Sequence, residues 1–275
     1  MGRRRPGTWV FGVATLVLAL FLPNGSAFAA IVPFNPGQPT VFIAQGSPTQ
    51  LEAATQSGGA ITFTPVGGTV SALTYNAIGY DTCNNFIYGV QTSAANGQSI
   101  GAVIQIAGDG SITYPGINVG TANVGAFGPD ANCDDFYVGN SGSSTLTKVN
   151  LLTKTSSTIN VGGAVAGPDM SYSNGFFWSM GSPNQIQRIN VTAAPLGVTT
   201  FTNVSTPAVG SSAPSGAFGA AWTYGNGNVG FSNNASGNIY QIAIANAASS
   251  SPTFTTVLSQ AGPASTTTTG PTPRV

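Results

Sequence analysis

The chain has 275 residues, of which 41% are hydrophobic, so its length permits one large core or two smaller ones. Only 7 residues are basic and 7 are acidic, together 5% of the chain against roughly 25% in an ordinary soluble domain, which argues against nucleic-acid binding and against a calcium cage rich in carboxylates. Histidine is absent, which excludes Ser-His-Asp and Cys-His nucleophile activation and every imidazole metal ligand.

The N-terminus has the pattern of a secretory signal peptide. Arg3, Arg4 and Arg5 precede an apolar run at residues 9–22, and small residues follow up to Ala29. This pattern predicts a signal peptide over residues 1–29, cleaved after Ala29. The apolar run has 14 residues, fewer than the ~20 that a membrane-spanning helix needs. We therefore expect an exported, extracellular protein with no membrane attachment after cleavage.

Beyond the signal peptide, the sequence divides into three parts. Residues 30–39 are a short lead-in, and residues 40–262 contain recurring short segments. Residues 263–275 are rich in Thr and Pro and have no apolar run, a composition that predicts a disordered tail.

The central part repeats a unit of short β-strands. Each unit opens with an aromatic or β-branched run, and these runs begin 45, 50, 40 and 53 positions apart. Paired aliphatic residues three positions apart and a second β-branched run follow, separated by turn dipeptides such as Asp109-Gly110. The opening residues of the five units are Val41, Phe86, Phe136, Phe176 and Val229.

A fourth segment of small residues precedes the aromatic run in units two to five, at residues 77–80, 124–128, 166–168 and 217–221. Four short strands in 40 to 50 residues are typical of one β-propeller blade. The sequence therefore predicts an all-β, propeller-like domain of about five four-stranded blades, with a β-sandwich or a β-solenoid as the alternatives. The first unit lacks the small-residue strand, and residues 262–269 are the predicted segment that returns to complete it.

The second unit also resembles a known family. Residues 76–81 read NAIGYD and residues 85–90 read NFIYGV, and a Val-x-x-Ile strand and an Asp-Gly turn follow. This phrase resembles an uncharacterised family of secreted bacterial β-propeller-like domains. The resemblance covers roughly residues 40–262 and implies a propeller fold without an assigned activity.

Cys83 and Cys133 are the only cysteines, and each lies three positions before the aromatic run of its unit. Equivalent turns of neighbouring blades lie on the same face of a propeller, and an exported chain meets oxidising conditions. The spacing predicts a disulfide between the two cysteines, with two free or buried thiols as the alternative.

Three aspartates, Asp81, Asp130 and Asp169, come directly after the small-residue segments. Aspartate in such turns commonly caps backbone amides. The alternative is a shallow cation site, for calcium, built from these three carboxylates and backbone carbonyls. No other metal, no cofactor and no catalytic residue is expected.

Most of the aromatic residues fall in the strand runs, where core packing is the default interpretation. Trp178 and Trp222, with Tyr172 and Tyr224, occur near strand ends in the last two units. This placement also permits a second interpretation, in which the rings line one mouth of the propeller and stack against a ligand.

Three classes of function remain open. The first is a secreted, non-catalytic binding or scaffold module whose partner is an extracellular carbohydrate or protein. The second is a structural component of a cell-surface layer, because weak net charge removes repulsion between copies. The third is a hydrolase or lyase that uses aspartate or a metal, which the lack of histidine and the scarcity of Glu and Lys disfavour.

Overall fold

The computed structural model describes residues 31–37, 41–57, 60–67, 72–182, 185–202 and 218–260. These residues form 19 β-strands and contain no helix. The strands make five antiparallel sheets, each of which pairs strands that are consecutive in sequence. The sheets are the blades of a five-bladed β-propeller, which confirms the predicted fold. The predicted signal peptide and C-terminal tail lie outside the described residues.

Blade 1 has three described strands, β1 (Phe42–Gln45), β2 (Gln50–Ser57) and β3 (Ala60–Pro65). These three strands correspond to the first unit of the sequence, which has no small-residue segment of its own. The segment predicted to complete this blade, residues 262–269, lies outside the described residues.

The other four blades have four strands each. Blade 2 consists of β4 (Tyr75–Asp81), β5 (Phe86–Gln91), β6 (Val103–Ile106) and β7 (Ile112–Thr113). Blade 3 consists of β8 (Val124–Phe127), β9 (Asp135–Gly139), β10 (Thr145–Asn150) and β11 (Thr155–Asn160). Blade 4 consists of β12 (Met170–Ser173), β13 (Phe176–Ser182), β14 (Gln185–Asn190) and β15 (Gly197–Thr202). Blade 5 consists of β16 (Phe218–Thr223), β17 (Val229–Asn233), β18 (Ile239–Ala245) and β19 (Thr253–Gln260).

The first strands of blades 2 to 5 lie at the centre of the ring, where β4 contacts β8, β8 contacts β12 and β12 contacts β16. Small residues are needed there because the backbones approach closely. A Cβ atom built on Gly125 would lie 2.2 Å from the carbonyl oxygen of Ala77 in the next blade. The predicted small-residue segments coincide with β4, β8 and β16.

The prediction for the central strand of blade 4 is wrong. Residues 166–168 precede the strand, which begins at Met170. Pro168 has no backbone N–H for a sheet hydrogen bond. The strand therefore begins two residues after Pro168, at Met170.

The hydrophobic core lies between adjacent blades rather than within any one of them. One apolar cluster fills each of the four interfaces between blades 1 and 2, 2 and 3, 3 and 4, and 4 and 5. Burial of a large apolar side chain contributes roughly 1.5–3 kcal/mol. The largest buried side chains in these layers include Trp178, Phe136, Phe177, Phe218 and Phe231.

A fifth apolar layer closes the ring between blades 5 and 1. Trp222 and Ile239 of blade 5 pack against Val41, Ile61 and Phe63 on the other side of the interface. The N-terminal and C-terminal blades are thus joined by the same kind of contact as the others.

The segment before blade 1 packs on blade 2. Phe34 is buried in the apolar cluster between blades 1 and 2, and its N–H donates to the carbonyl of Asn85 at 2.8 Å. The N–H of Gly108 donates to the carbonyl of Val32 at 2.7 Å. Residues 32–34 of the lead-in therefore contribute to the core and to the backbone hydrogen bonds of the domain.

We predict that Gly125→Ala destabilises the fold by about 3 kcal/mol or more, because the new methyl group collides with backbone atoms that cannot move independently. Urea unfolding followed by tryptophan fluorescence measures this change. Gly225→Ala is the matched control, since nothing lies within 4 Å of a Cβ built there, and we expect it to change stability by less than about 0.5 kcal/mol. Equal effects of the two substitutions would contradict the close packing at the centre.

Candidate functional site

The two cysteines form the predicted disulfide. Cys83 lies in the turn between β4 and β5, and Cys133 lies in the equivalent turn between β8 and β9. Their Cα atoms are 5.9 Å apart and 50 positions apart in sequence. The bond joins blades 2 and 3 covalently, which confirms the pairing inferred from the equivalent positions.

Asp81 caps the turn that carries Cys83. Its side chain is 1% exposed at the end of β4. Oδ1 accepts hydrogen bonds from the backbone N–H groups of Cys83 at 2.9 Å and Asn84 at 3.0 Å, and Oδ2 accepts from the side-chain amide of Asn84 at 2.9 Å. Both oxygens therefore stabilise the turn.

Asp130 has the same role in blade 3. Its carboxylate accepts from the N–H of Asn132 at 3.1 Å and from the N–H of Asp134 at 2.9 Å. These backbone hydrogen bonds, that of Asn132 first, lower the pKa of Asp130 from its ordinary value because they favour the charged form.

Asp169 lies at the other end of its strand, directly before β12. It is 1% exposed, and its carboxylate accepts a hydrogen bond from the backbone N–H of Ala221 in blade 5. Asp81, in contrast, is the last residue of β4. The two aspartates therefore lie at opposite ends of their strands.

The three-aspartate cation site is consequently wrong. Within the described residues, the one group of acidic and cysteine side chains whose ligand atoms lie within 4.8 Å of one another consists of Asp81, Cys83 and Cys133. The two sulfur atoms of that group form the disulfide and are not thiolates, so they are not available as metal ligands.

The ligand-stacking interpretation of the two tryptophans is also wrong. Trp178 is 0% exposed and Trp222 is 1% exposed, so neither ring presents a face to a ligand. The indole N–H of Trp178 donates to the carbonyl of Ser173 at 2.9 Å. Tyr172 and Tyr224 are half-buried and pack against Phe177 and Trp222, with ring centroids 5.3 and 5.8 Å apart.

An open cleft between blades 1 and 2 is the candidate site. We call it the blade 1–2 cleft, and its volume is about 250 Å³. Blade 1 contributes the turn before β2, the start of β2 and the residues that follow β3, and blade 2 contributes β4, β6, β7 and the turn between the last two strands. The lining residues are Thr49, Gln50, Leu51, Val66, Gly67, Tyr75, Ile106, Asp109, Gly110, Ser111 and Ile112.

Hydrogen bonds between the blades fix the inner end of this cleft. The hydroxyl of Thr49, which is 2% exposed, accepts from the N–H of Tyr75 at 3.0 Å and donates to the carbonyl of Tyr75 at 3.1 Å. The N–H of Thr49 donates to the carbonyl of Leu73 at 2.9 Å. Tyr75 is thereby held at the boundary of the two blades.

Tyr75 is a buried residue of the cleft lining. Tyr75 is 3% exposed, and among the described residues its hydroxyl has no protein hydrogen-bond partner. Burial raises the pKa of this phenol well above its ordinary value, so the group stays protonated and remains a donor.

At the outer end, Asp109 is an exposed carboxylate in the β6–β7 turn. It accepts from the backbone N–H of Ser111 at 2.9 Å. The hydrogen bonds from the Ser111 side chain and backbone lower the pKa of Asp109, so the cleft has a negative charge at its rim.

The sequence profile of a repeat of unknown function, DUF6923, matches residues 42–271. The chain belongs to this family. The match covers all five blades, and it agrees with the resemblance that the phrase in the second unit indicated. No curated protein sequence matches this DUF6923 protein.

Several solved structures are similar to this DUF6923 chain. The structure of U3-55K is 10% identical with a TM-score of 0.44, and the match covers 83% of this chain and 62% of that chain. Virginiamycin B lyase from Staphylococcus aureus is 12% identical with a TM-score of 0.43, covering 78% and 69%. A chain of the nidogen/laminin complex is 8% identical with a TM-score of 0.46, covering 80% and 99%. The chain thus spans about three fifths of the U3-55K chain.

Sequence reasoning missed the blade 1–2 cleft. Its polar residues, Gln50, Tyr75 and Asp109, are separated by 25 and 34 positions and belong to two units. No local pattern marks these residues, because the cleft forms only where the turns of two units meet in the folded chain.

We predict that breaking the Cys83–Cys133 disulfide lowers the free energy of unfolding by about 2–4 kcal/mol, because a closed 50-residue loop restricts the unfolded chain. Urea unfolding with and without reductant measures the loss. The double variant Cys83→Ser, Cys133→Ser is the control, and reductant should leave its stability unchanged. Two free thiols in the mass of the native protein would refute the bond.

Proposed function

We propose that this DUF6923 protein is a secreted, non-catalytic binding module for an extracellular carbohydrate or protein. The observation that carries the proposal is the blade 1–2 cleft, an opening of about 250 Å³ between two blades, with the Gln50 side chain in its lining and the exposed Asp109 carboxylate at its rim. Ligand sites in proteins are concave, mostly apolar and supplied with a few polar groups that fix orientation.

Most of the carboxylates make structural hydrogen bonds or an ion pair, which supports a non-catalytic role. Asp81, Asp109 and Asp130 cap turns, and Asp169 accepts from a backbone N–H. Asp135 pairs with Lys148 and accepts from Asn150 at 3.2 Å.

Glu52 and Asp134 are the two carboxylates whose side chains make no hydrogen bond to the part of the chain that the structure describes. They lie in different blades, with Glu52 on β2 of blade 1 and Asp134 before β9 of blade 3. Hydrolysis of glycosides commonly uses a pair of carboxylates at one site, and histidine is the most frequent acid–base side chain in enzymes. The chain has no histidine.

Export is the second part of the proposal. The N-terminal signal-peptide pattern supports cleavage and secretion and is compatible with a bacterial host. It consists of three arginines, a short apolar run and small residues up to Ala29. The disulfide is typical of proteins in oxidising compartments. Among the described residues, no helix has the length and apolar character to cross a membrane.

The distribution of basic residues disfavours nucleic acid as the partner. The described basic side chains are Lys148, Lys154 and Arg188. Lys148 pairs with Asp135, and Arg188 donates to the carbonyls of Ala247 and Ser249. A phosphate backbone is bound by several uncommitted basic groups on one surface.

Retention on cell-envelope material tests the proposal. The secreted protein, which we expect to begin at Ala30, is incubated with purified envelope polysaccharides and envelope proteins, and both the bound fraction and the ligand are analysed. We expect retention of the folded protein and recovery of the ligand unchanged. The same chain, reduced and unfolded in urea before mixing, is the control for adhesion without a fold. New reducing ends or unsaturated products would favour a hydrolase or lyase, and failure to retain the protein on any fraction would contradict a binding module.

A structural role in a surface layer is the second candidate, and the edge strand β11 favours it. Residues 155–158 of this strand are exposed, and β11 carries no charge. Unprotected edge strands pair with strands of other chains. The strand is outermost in blade 3, where a second copy has access.

Sedimentation velocity over a range of concentrations distinguishes the two candidates. A binding module stays monomeric, whereas a layer protein assembles. In the layer case we expect Ser157→Lys to reduce assembly at least about tenfold, because a charge on an edge strand disfavours pairing, and Thr62→Lys on β3 to serve as the matched control on another outer strand. Assembly that is unaffected by Ser157→Lys would exclude β11 as the contact.

A further inference from the structure

We propose that the C-terminal segment of this same chain, residues 261–275, supplies an innermost strand to blade 1 by pairing with β1. The acceptor is the edge of β1 that points away from β2, which we call the inner edge of β1. This inference goes beyond the proposed binding function and does not depend on it.

The strand that the described part of blade 1 lacks is the innermost one. The aromatic or β-branched run of each unit forms the second strand of blades 2 to 5, and in the first unit the same run forms β1. In blades 2 to 5 this second strand lies between the innermost strand and the third strand. Among the described strands, β1 pairs with β2 alone. One strand position therefore remains beside β1, on the side of the propeller axis.

The backbone groups on the inner edge of β1 are buried. The N–H of Ala54 donates to the carbonyl of Val41 at 2.7 Å, so Val41 and, by alternation, Ile43 direct their backbone groups toward β2. The N–H and C=O groups of Phe42 and Ala44 point to the inner edge, where the described residues offer them no backbone partner. Phe42 is 6% exposed and Ala44 is 0% exposed. Since buried backbone groups are nearly always hydrogen-bonded, this edge requires a strand from outside the described ranges.

The lengths of the connections between blades indicate which residues pair. The chain passes from the outermost strand of one blade to the innermost strand of the next through residues 66–74, 114–123, 161–169 and 203–217. The outermost strand of blade 5 is β19, which ends at Gln260. A connection as long as residues 66–74 then reaches the inner edge of β1 at residue 270. This assigns residues 261–269 to the connection and residues 270–275 to the strand, later than the residues 262–269 expected from the sequence pattern.

The extent of the family profile supports the same segment. The DUF6923 profile matches residues 42–271, so it begins at the first residue of β1 and continues past the end of β19 at Gln260. The repeat of this family thus includes residues beyond the last described strand. A profile with these limits agrees with a ring whose first blade is completed by residues from its C-terminal side.

The sequence of residues 270–275, GPTPRV, is compatible with an innermost strand. Pro271 and Pro273 are two positions apart, so the N–H groups that they lack belong to the same edge of the strand. Proline is tolerated in an edge strand when that edge pairs with nothing, and the innermost strands of blades 2 to 5 each have such an edge because they end their sheets. The backbone groups of Thr272 then point to the opposite edge, toward β1.

Hydrogen exchange at single amides, resolved by NMR, tests the inference. The mature protein is compared with a shorter chain that ends at Thr269. In the full chain we expect slow exchange at Phe42 and Ala44, as at Ile43, whose N–H faces β2 and serves as the internal control. In the shorter chain, exchange at Phe42 and Ala44 should become at least about tenfold faster relative to Ile43, and the melting temperature should fall by about 5 °C or more.

Two matched proline variants of the full chain test the same pairing without truncation. Thr272→Pro removes an N–H from the edge that faces β1, so exchange at Phe42 and Ala44 should become faster as in the shorter chain. Thr267→Pro makes the same change in the connection, and we expect it to leave exchange at both amides within about twofold of the wild type.

A synthetic peptide of residues 261–275 is the complementary probe. Added to the shorter chain, it should restore the melting temperature and the protection of Phe42 and Ala44, because a ligand of the folded form stabilises it. A fluorescent form of the peptide should not bind the full chain, whose inner edge is already filled. If the shorter chain does not fold alone, recovery of the fold with the peptide supports the proposal.

Several results would overturn the proposal. Rapid exchange at Phe42 and Ala44 in the full chain would show that the inner edge is unpaired. Equal protection in the full and shorter chains, or equal effects of the two proline variants, would exclude residues 270–275 as the strand. Protection that increases with protein concentration, together with dimers in sedimentation velocity, would assign the strand to a second copy instead of the same chain.

Discussion

The apolar layers between adjacent blades are the interaction on which the rest of the structure depends. A sheet face that carries apolar side chains must be buried against another element before it is stable in water. In this chain the buried aromatic and branched residues lie in five such layers. Each blade is therefore stable only as part of the ring, and the contact of Trp222 and Ile239 with blade 1 is as necessary as the contacts between consecutive blades.

A ring held by apolar layers needs few charged groups, and several of the described ones lie where blades meet or turns close. Arg188 of blade 4 donates to the carbonyls of Ala247 and Ser249 in blade 5, at 2.6 and 2.7 Å, and its guanidinium lies 4.9 Å from the ring centre of Phe176. Lys148 pairs with Asp135 inside blade 3, and hydrogen bonding to that carboxylate raises the pKa of the lysine. These groups stabilise the scaffold and are not free for chemistry.

The same arrangement explains where a ligand can bind. Small residues bring the central strands together, so the cavity at the axis, lined by residues such as Gly79 and Gly125, has a volume of only about 20 Å³, enough for one water molecule. The larger opening lies where blade 1, with three described strands, meets blade 2. The turns of both blades provide the polar groups around this opening.

The sequence by itself determined the strands, the five units and the disulfide, because these follow from local alternation, turn residues and the equivalent positions of Cys83 and Cys133. It did not determine which side chains are accessible. Trp178 and Trp222 occur near strand ends, yet the neighbouring blade covers both, and Asp169 is committed to the backbone of Ala221 some fifty positions away. Accessibility and partners depend on contacts between units, so the buried tryptophans and the cleft between blades 1 and 2 were decided only when the ring closed.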